Sequence, residues 1–198
     1  MAGVRRRDGA RGFTLIELLA VMVIFGVLLA IALPSFDVTL KRYRAGMAAT
    51  QIAGALQFAR TEAIRTGGNI TVGQAGPSAE CTPGEGDATD WHCGVNVAAN
   101  GTLLKTIAAS SLNALSVRLN TNPKTARSAI TFSSLGYTTC GTCTGGMEPS
   151  DSFIHIWPAA DGGNPATSSA VSTVCATRAG KVVAVALYVT DVVNCVQP

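Results

Sequence analysis

From Phe13 to Phe36 the chain reads FTLIELLAVMVIFGVLLAIALPSF, in which only Thr14, Glu17 and Ser35 are polar and nothing polar occurs between Leu18 and Leu33. A helix needs roughly 20 apolar residues to span a bilayer, so this stretch is long enough. Beyond it the pattern becomes a stripe. Ala45, Ala49, Ile52, Leu56, Ala59 and Ala63 recur at spacings of four and three, the period of one apolar helix face. Arg42, Arg44, Arg60 and Arg65 fall off that stripe, and Thr66-Gly67-Gly68 supplies a stop signal. One helix is therefore predicted from about Phe13 to about Thr66, on the order of 80 Å long at 1.5 Å per residue.

After Gly68 the apolar positions come in short runs. Ile70–Val72, Val95–Val97, Leu103–Ile107, Leu115–Leu119, Ala129–Phe132, Phe153–Trp157 and Val182–Val189 read as strands, punctuated by Gly, Pro, Asn, Asp and Ser. One helix followed by many strands predicts an α+β fold with an antiparallel sheet on the helix. Alternation is clearest where Phe153, His155 and Trp157 share one face and Ile154 and Ile156 the other; His155 is expected at a partly wet strand position rather than as a ligand. Asp161-Gly162-Gly163-Asn164 reads as a turn.

Charge sharpens the N-terminal picture. The 198 residues are 47% hydrophobic and only 14% charged, with a formal net charge of +3. Arg5, Arg6, Arg7 and Arg11 against Asp8 account for all of that charge, so the remainder is formally neutral. An overall basic field for nucleic acid is thereby disfavoured. The arginines precede the apolar run, which places residues 1–12 in the cytoplasm and everything after Pro34 across the membrane. A plain secretory signal with a cleavage site at Ala30-Ile31-Ala32 is the alternative. Glu17 opposes it, because a carboxylate in hydrocarbon costs several kcal/mol unless paired.

Gly12-Phe13-Thr14-Leu15-Ile16-Glu17-Leu18-Leu19 resembles the class III signal of type IV pilins and type II secretion pseudopilins. The resemblance implies cleavage by a prepilin peptidase between Gly12 and Phe13 and methylation of the new Phe13 amine. It implies that Glu17, the fifth mature residue, pairs with the N-terminal amine of a neighbouring subunit during assembly. Pro34, the 22nd mature residue, removes a helical hydrogen bond and predicts a kink, and Gly26 is a second soft point. Gln57–Ile64, Trp91–Val95 and Ile130–Gly136 are similar, in that order, to segments of the GspH/FimT group of minor pilins. Many FimT-like proteins end in a Gly-Arg-x-Arg-type basic tail, whereas this chain offers Arg178 and Lys181 and ends Val-Asn-Cys-Val-Gln-Pro.

The organisation implied is a removed cytoplasmic leader (1–12), a transmembrane and filament-core helix half (13–36), an amphipathic helix half (37–66) and a periplasmic β domain (67–198). The fold implied is pilin-like: a long N-terminal helix on an antiparallel sheet domain. All six cysteines, Cys81, Cys93, Cys140, Cys143, Cys175 and Cys195, follow the apolar segment. An even number on the non-cytosolic side argues for disulfides. The sequential pairing Cys81–Cys93, Cys140–Cys143 and Cys175–Cys195 is the reading adopted. Cys140-Gly-Thr-Cys143 lacks the helix-opening, thioredoxin-like setting of a redox pair, and a single CxxC falls short of a zinc site. Glu80, Glu85, Asp87 and Asp90 make an acidic loop without EF-hand spacing, read as solvated rather than calcium-binding.

No phosphate loop, nucleophile elbow or HExxH motif is present, so neither an enzyme nor a cofactor is expected. The resemblance implies a minor pilin of a type IV pilus, in its initiating or tip complex, anchored in the inner membrane by a single pass. Its partners would be other major and minor pilins through the helix, the prepilin peptidase and the inner-membrane assembly platform. The first alternative is pseudopilin H of type II secretion. The second is a DNA-binding minor pilin for natural transformation, using Lys124, Arg127, Arg178 and Lys181; the scatter of these cations argues against a nucleic-acid partner.

Overall fold

The computed structural model describes residues 13–76, 81, 90–112, 114–122, 129–139, 151–190 and 195, with the side chains of 32–35, 121 and 122 left aside. Gly12, Glu80, Glu85, Asp87, Lys124, Arg127, Cys140 and Cys143 lie outside the described residues. The chain divides into two units, Met1–Asp37 and Val38–Pro198.

Helix α1 runs Leu15–Thr66, close to the extent the pattern predicts. Its start follows from Thr14-x-x-Glu17, the sequence form of a capping box: the Glu17 amide donates to Thr14 Oγ1 at 3.3 Å. Its end follows from Gly67, which takes φ +66°, a left-handed conformation that glycine adopts without cost.

Within the second unit, every residue of the predicted stripe is buried: Ala45, Ala49, Ile52, Leu56, Ala59 and Ala63 are no more than 2% exposed. Ala48, Ala53 and Ala55 join them. Alanines let the helix axis come close to the sheets, and Ile52 and Leu56 fill the space that remains. Arg42, Arg44 and Arg65 are exposed. Arg60, also off the stripe, is half-buried, and its Nη2 donates to Ala179 O at 3.4 Å.

The strands are β1 (Ile70–Gln74), β2 (Gly94–Ala99), β3 (Thr102–Ala108), β4 (Leu115–Asn122), β5 (Ala129–Phe132), β6 (Thr138–Thr139), β7 (Asp151–Pro158), β8 (Ser172–Ala176) and β9 (Val182–Val185). They form two antiparallel sheets rather than one, ordered β3-β2-β1-β5-β6 and β4-β7-β8-β9. Val72, Val95, Val97, Ile130 and Phe132 of the first sheet, Val117, Ile154, Ile156 and Val174 of the second, and the α1 stripe share one core. The architecture is thus α+β, as the order of patterns implies.

Two expectations change at the second sheet. The strand read as Val182–Val189 ends at Val185, and His155 is only 2% exposed rather than partly wet. Both have one cause. Beyond β9 the chain leaves the sheet and lies over its outer face. Leu187 O accepts from Thr173 Oγ1 at 2.7 Å, the Tyr188 ring meets His155 with centroids 4.7 Å apart, and Val189 joins Phe153, Cys175 and Cys195 in a second small core. The Cys175–Cys195 disulfide closes this strap. Both faces of β7 are therefore covered, and all eight of its residues are buried.

The hydroxyl proton of Thr173 is committed to Leu187, so the 3.2 Å contact to His155 Nδ1 has the imidazole as donor. His155 Nε2 is buried with no hydrogen-bond partner among the described residues. Burial pushes the His155 pKa down from the usual 6.5 to about 4, so the fold favours the neutral ring. The stability this contributes is complete above pH 6.5, the unfolded value, and is lost as pH falls toward 4. The loss amounts to at most about 3 kcal/mol. Urea unfolding midpoints should therefore fall between pH 6.5 and 4 in the wild type, and fall less in His155→Gln.

Candidate functional site

The first unit presents the feature most in need of a partner. Every described side chain from Phe13 to Ile31 is exposed. Phe13 is 86% exposed, and even Leu29, the most covered of the large apolar residues in this stretch, is 48% exposed. The helix is apolar on all sides here, which suits a lipid environment or the interior of a helical assembly rather than water. By length and composition, no single helix among the described residues is long and apolar enough to cross a membrane; Leu15–Ile31 and Phe36–Thr66 meet that requirement taken together. Glu17 sits in the first turn of α1. Sequence reading singled out its charge and overlooked that Thr14 caps the same turn, although the T-x-x-E spacing carries that signal. Gly26 lies within the helix with open space around its Cα. Pro34 also lies within it, and its side chain is among those left aside.

In the second unit, two of the expected disulfides are formed: Cys81–Cys93, with Cα atoms 5.4 Å apart, and Cys175–Cys195, with Cα atoms 6.2 Å apart. Cys81, Cys93 and His92 come within ligand distance of one another, but the two sulfurs are bonded to each other and so are not thiolate ligands. Of the acidic loop, Asp90 alone is described, and it is committed locally. Its Oδ1 lies 2.8 Å from His92 Nδ1 and accepts from the His92 amide at 3.2 Å. Nothing in the sequence pattern signalled that pair.

Of the cations considered for DNA, Arg178 and Lys181 share the turn joining β8 to β9, closed by Thr177 N donating to Lys181 O at 2.9 Å. Arg178 is tied to Asp151. Its amide donates to Oδ1 at 2.7 Å, and its guanidinium stands 3.6 Å from Oδ2. Lys181 is exposed. The described geometry thus joins two of the four residues and gives one of them an acidic partner.

Two family models match the chain. Residues 7–33 match the prokaryotic N-terminal methylation motif, and residues 48–156 match the type II transport protein GspH. No curated protein matches it significantly. Among solved structures it is similar to the type IV minor pilin FimU of Pseudomonas aeruginosa in two crystal forms. The form in space group P65 shares 17% identity at a TM-score of 0.47, covering 70% of this chain and 90% of that one. The form in P21 shares 18% at 0.48, covering 71% and 87%. With the GspH model spanning more than half of its length and the methylation motif ahead of it, the chain belongs to the GspH family of the type IV pilin and pseudopilin superfamily.

Proposed function

We propose that the chain is a minor pilin, a structural subunit built into the initiating or tip complex of a type IV pilus. The observation that carries this reading is the exposed stretch from Phe13 to Ile31, apolar but for Thr14 and Glu17, which lies within a methylation motif. In this account a prepilin peptidase removes residues 1–12 and Phe13 becomes the methylated N-terminus. The helix first holds the protein in the inner membrane with its N-terminus cytoplasmic. It then passes through the assembly platform into a bundle of other pilins' helices. Glu17 supplies register by pairing with a neighbouring terminal amine, because a carboxylate and an amine in hydrocarbon each lack a partner until they meet. Pro34 and Gly26 soften the helix for that packing. The β domain, held by Cys81–Cys93 and Cys175–Cys195, faces the periplasm or the fibre surface and makes the specific contacts. No catalytic role is assigned to it.

A second reading, pseudopilin H of a type II secretion system, is favoured by the wording of the matching family model. An in-frame deletion in the native host, assayed for sheared surface pili and for secreted proteins side by side, separates the two. Loss of pili with normal secretion is expected. Loss of secretion with normal pili would move the protein to the type II system. A DNA-receptor role is the weaker option, because Arg178 is paired with Asp151; DNA binding that falls steeply with added salt would revive it.

A further inference from the structure

The two disulfides of the β domain differ in surroundings. Cys175 and Cys195 are 1% and 2% exposed, inside the small core beneath the C-terminal strap. Cys81 is half-buried and, with His92, lines a cavity of about 320 Å³, while its partner Cys93 is buried. His92 Nε2 stands 3.5 Å from Cys93 Sγ, and its Nδ1 stands 2.8 Å from Asp90 Oδ1. The carboxylate fixes the ring by accepting from Nδ1–H, which leaves Nε2 facing the sulfur. Among the described residues, the rest of the cavity lining, Ala109, Ser110, Leu112, Ala114, Leu115 and Ala159, carries no charge. Among the described residues, Asp90 is the ionisable side chain against the His92 ring.

We propose that Cys81–Cys93 is an exchange-active disulfide, at which a small-molecule thiol attacks Cys81 and the Asp90–His92 pair receives the departing Cys93 sulfur. In the first step the external thiolate forms a bond to Cys81 Sγ. The S–S bond breaks, and its electron pair leaves on Cys93 Sγ. His92 Nε2 faces that departing sulfur at 3.5 Å, on a ring held in place by Asp90. In the second step another external thiolate attacks the mixed disulfide, releasing Cys81 as thiolate and the external thiol as its own disulfide. The protein disulfide gains two electrons, and the two small thiols lose them. Exchange rates rise with access to the attacked sulfur and with stabilisation of the leaving thiolate. Both conditions hold at Cys81–Cys93, and neither is provided at the buried Cys175–Cys195. Reactive and inert sulfurs thus coexist in one domain, and the reactive one is a site for reversible thiolation.

The test is reduction of the folded full-length protein by glutathione, quenched by alkylation and read for each disulfide by peptide mass mapping. Cys81–Cys93 should open at least about tenfold faster than Cys175–Cys195, with the first glutathione adduct on Cys81. The ratio of the two rates cancels the ionisation of glutathione. It should fall in His92→Gln, which removes the ring facing the Cys93 sulfur. Asp90→Asn, which leaves the ring in place without its carboxylate partner, should lower the ratio too. Equal rates for the two disulfides, a first adduct on Cys93, or a ratio unchanged in both variants would overturn the proposal. If either variant fails to fold, the wild-type ratio and the position of the adduct decide.

Discussion

Replacing Gly180 by alanine is expected to destabilise the β domain by ~2–5 kcal/mol, combining left-handed backbone strain with overpacking. Gly180 has φ +77°, and a Cβ built there would lie 1.9 Å from Gly136 O and 2.9 Å from Arg60 Nε. The obstacle is mostly backbone, so no side-chain rotation relieves it. Gly136, itself at φ +79°, lies against Ile64 of α1. Thr138 N donates to Arg178 O at 3.2 Å, and Thr138 Oγ1 donates to Thr177 O at 2.8 Å. The turn between β8 and β9 is thus pinned between the end of the first sheet and the end of the helix. Alanine at Gly162, also at positive φ but with open space around it, should cost only the strain. Denaturant unfolding of Gly180→Ala and Gly162→Ala side by side checks the account; equal losses would remove the close approach from it.

The second large effect concerns assembly. Glu17→Gln should lower incorporation of the chain into surface fibres on the order of a hundredfold, while leaving its membrane insertion intact. A carboxylate within an apolar helix is worth about 2.5–3.5 kcal/mol when it must find a partner. Glutamine keeps the N3 capping function beside Thr14 but removes the charge. The variant therefore separates the charge of Glu17 from the side-chain capping that the T-x-x-E spacing allows. Quantitative immunoblots of sheared-fibre and membrane fractions provide the measurement. Wild-type incorporation in Glu17→Gln, with loss in Glu17→Ala, would assign the residue to helix capping instead of subunit pairing.

The helical half of this molecule was legible because its signals are local and periodic. The stripe from Ala45 to Ala63 repeats at helix spacing, and all six of its members are buried. The Gly67 stop depends only on a neighbouring glycine pair. The strands that alternate or carry β-branched runs were equally visible, from Ile70–Val72 to Phe153–Trp157. What escaped depends on residues far apart in sequence. β6 is two threonines, Thr138 and Thr139, held by pairing with β5. β8, Ser172–Ala176, is buried on both faces and has no clean alternation to betray it. His155 looked like a wet-face residue because nothing in its own strand announces that Tyr188 and Val189 will cover it; the cover depends on Cys195 reaching Cys175. The division of the strands into two sheets is likewise a matter of long-range pairing. Among the candidate residues, Glu17 stood out as a charge in an apolar run, whereas the proposed cleavage between Gly12 and Phe13 came from resemblance alone. The Asp90–His92 pair did not stand out, because an acid and a histidine in a loop reveal their geometry only when the Cys81–Cys93 bridge is closed.

The most direct test of the central claim is the N-terminal mass of this protein recovered from sheared surface fibres. The account predicts a chain that begins at Phe13, carries one methyl group on its amine and is present in the fibre fraction. A chain that still begins at Met1, or one absent from intact fibres and confined to the membrane, would contradict it.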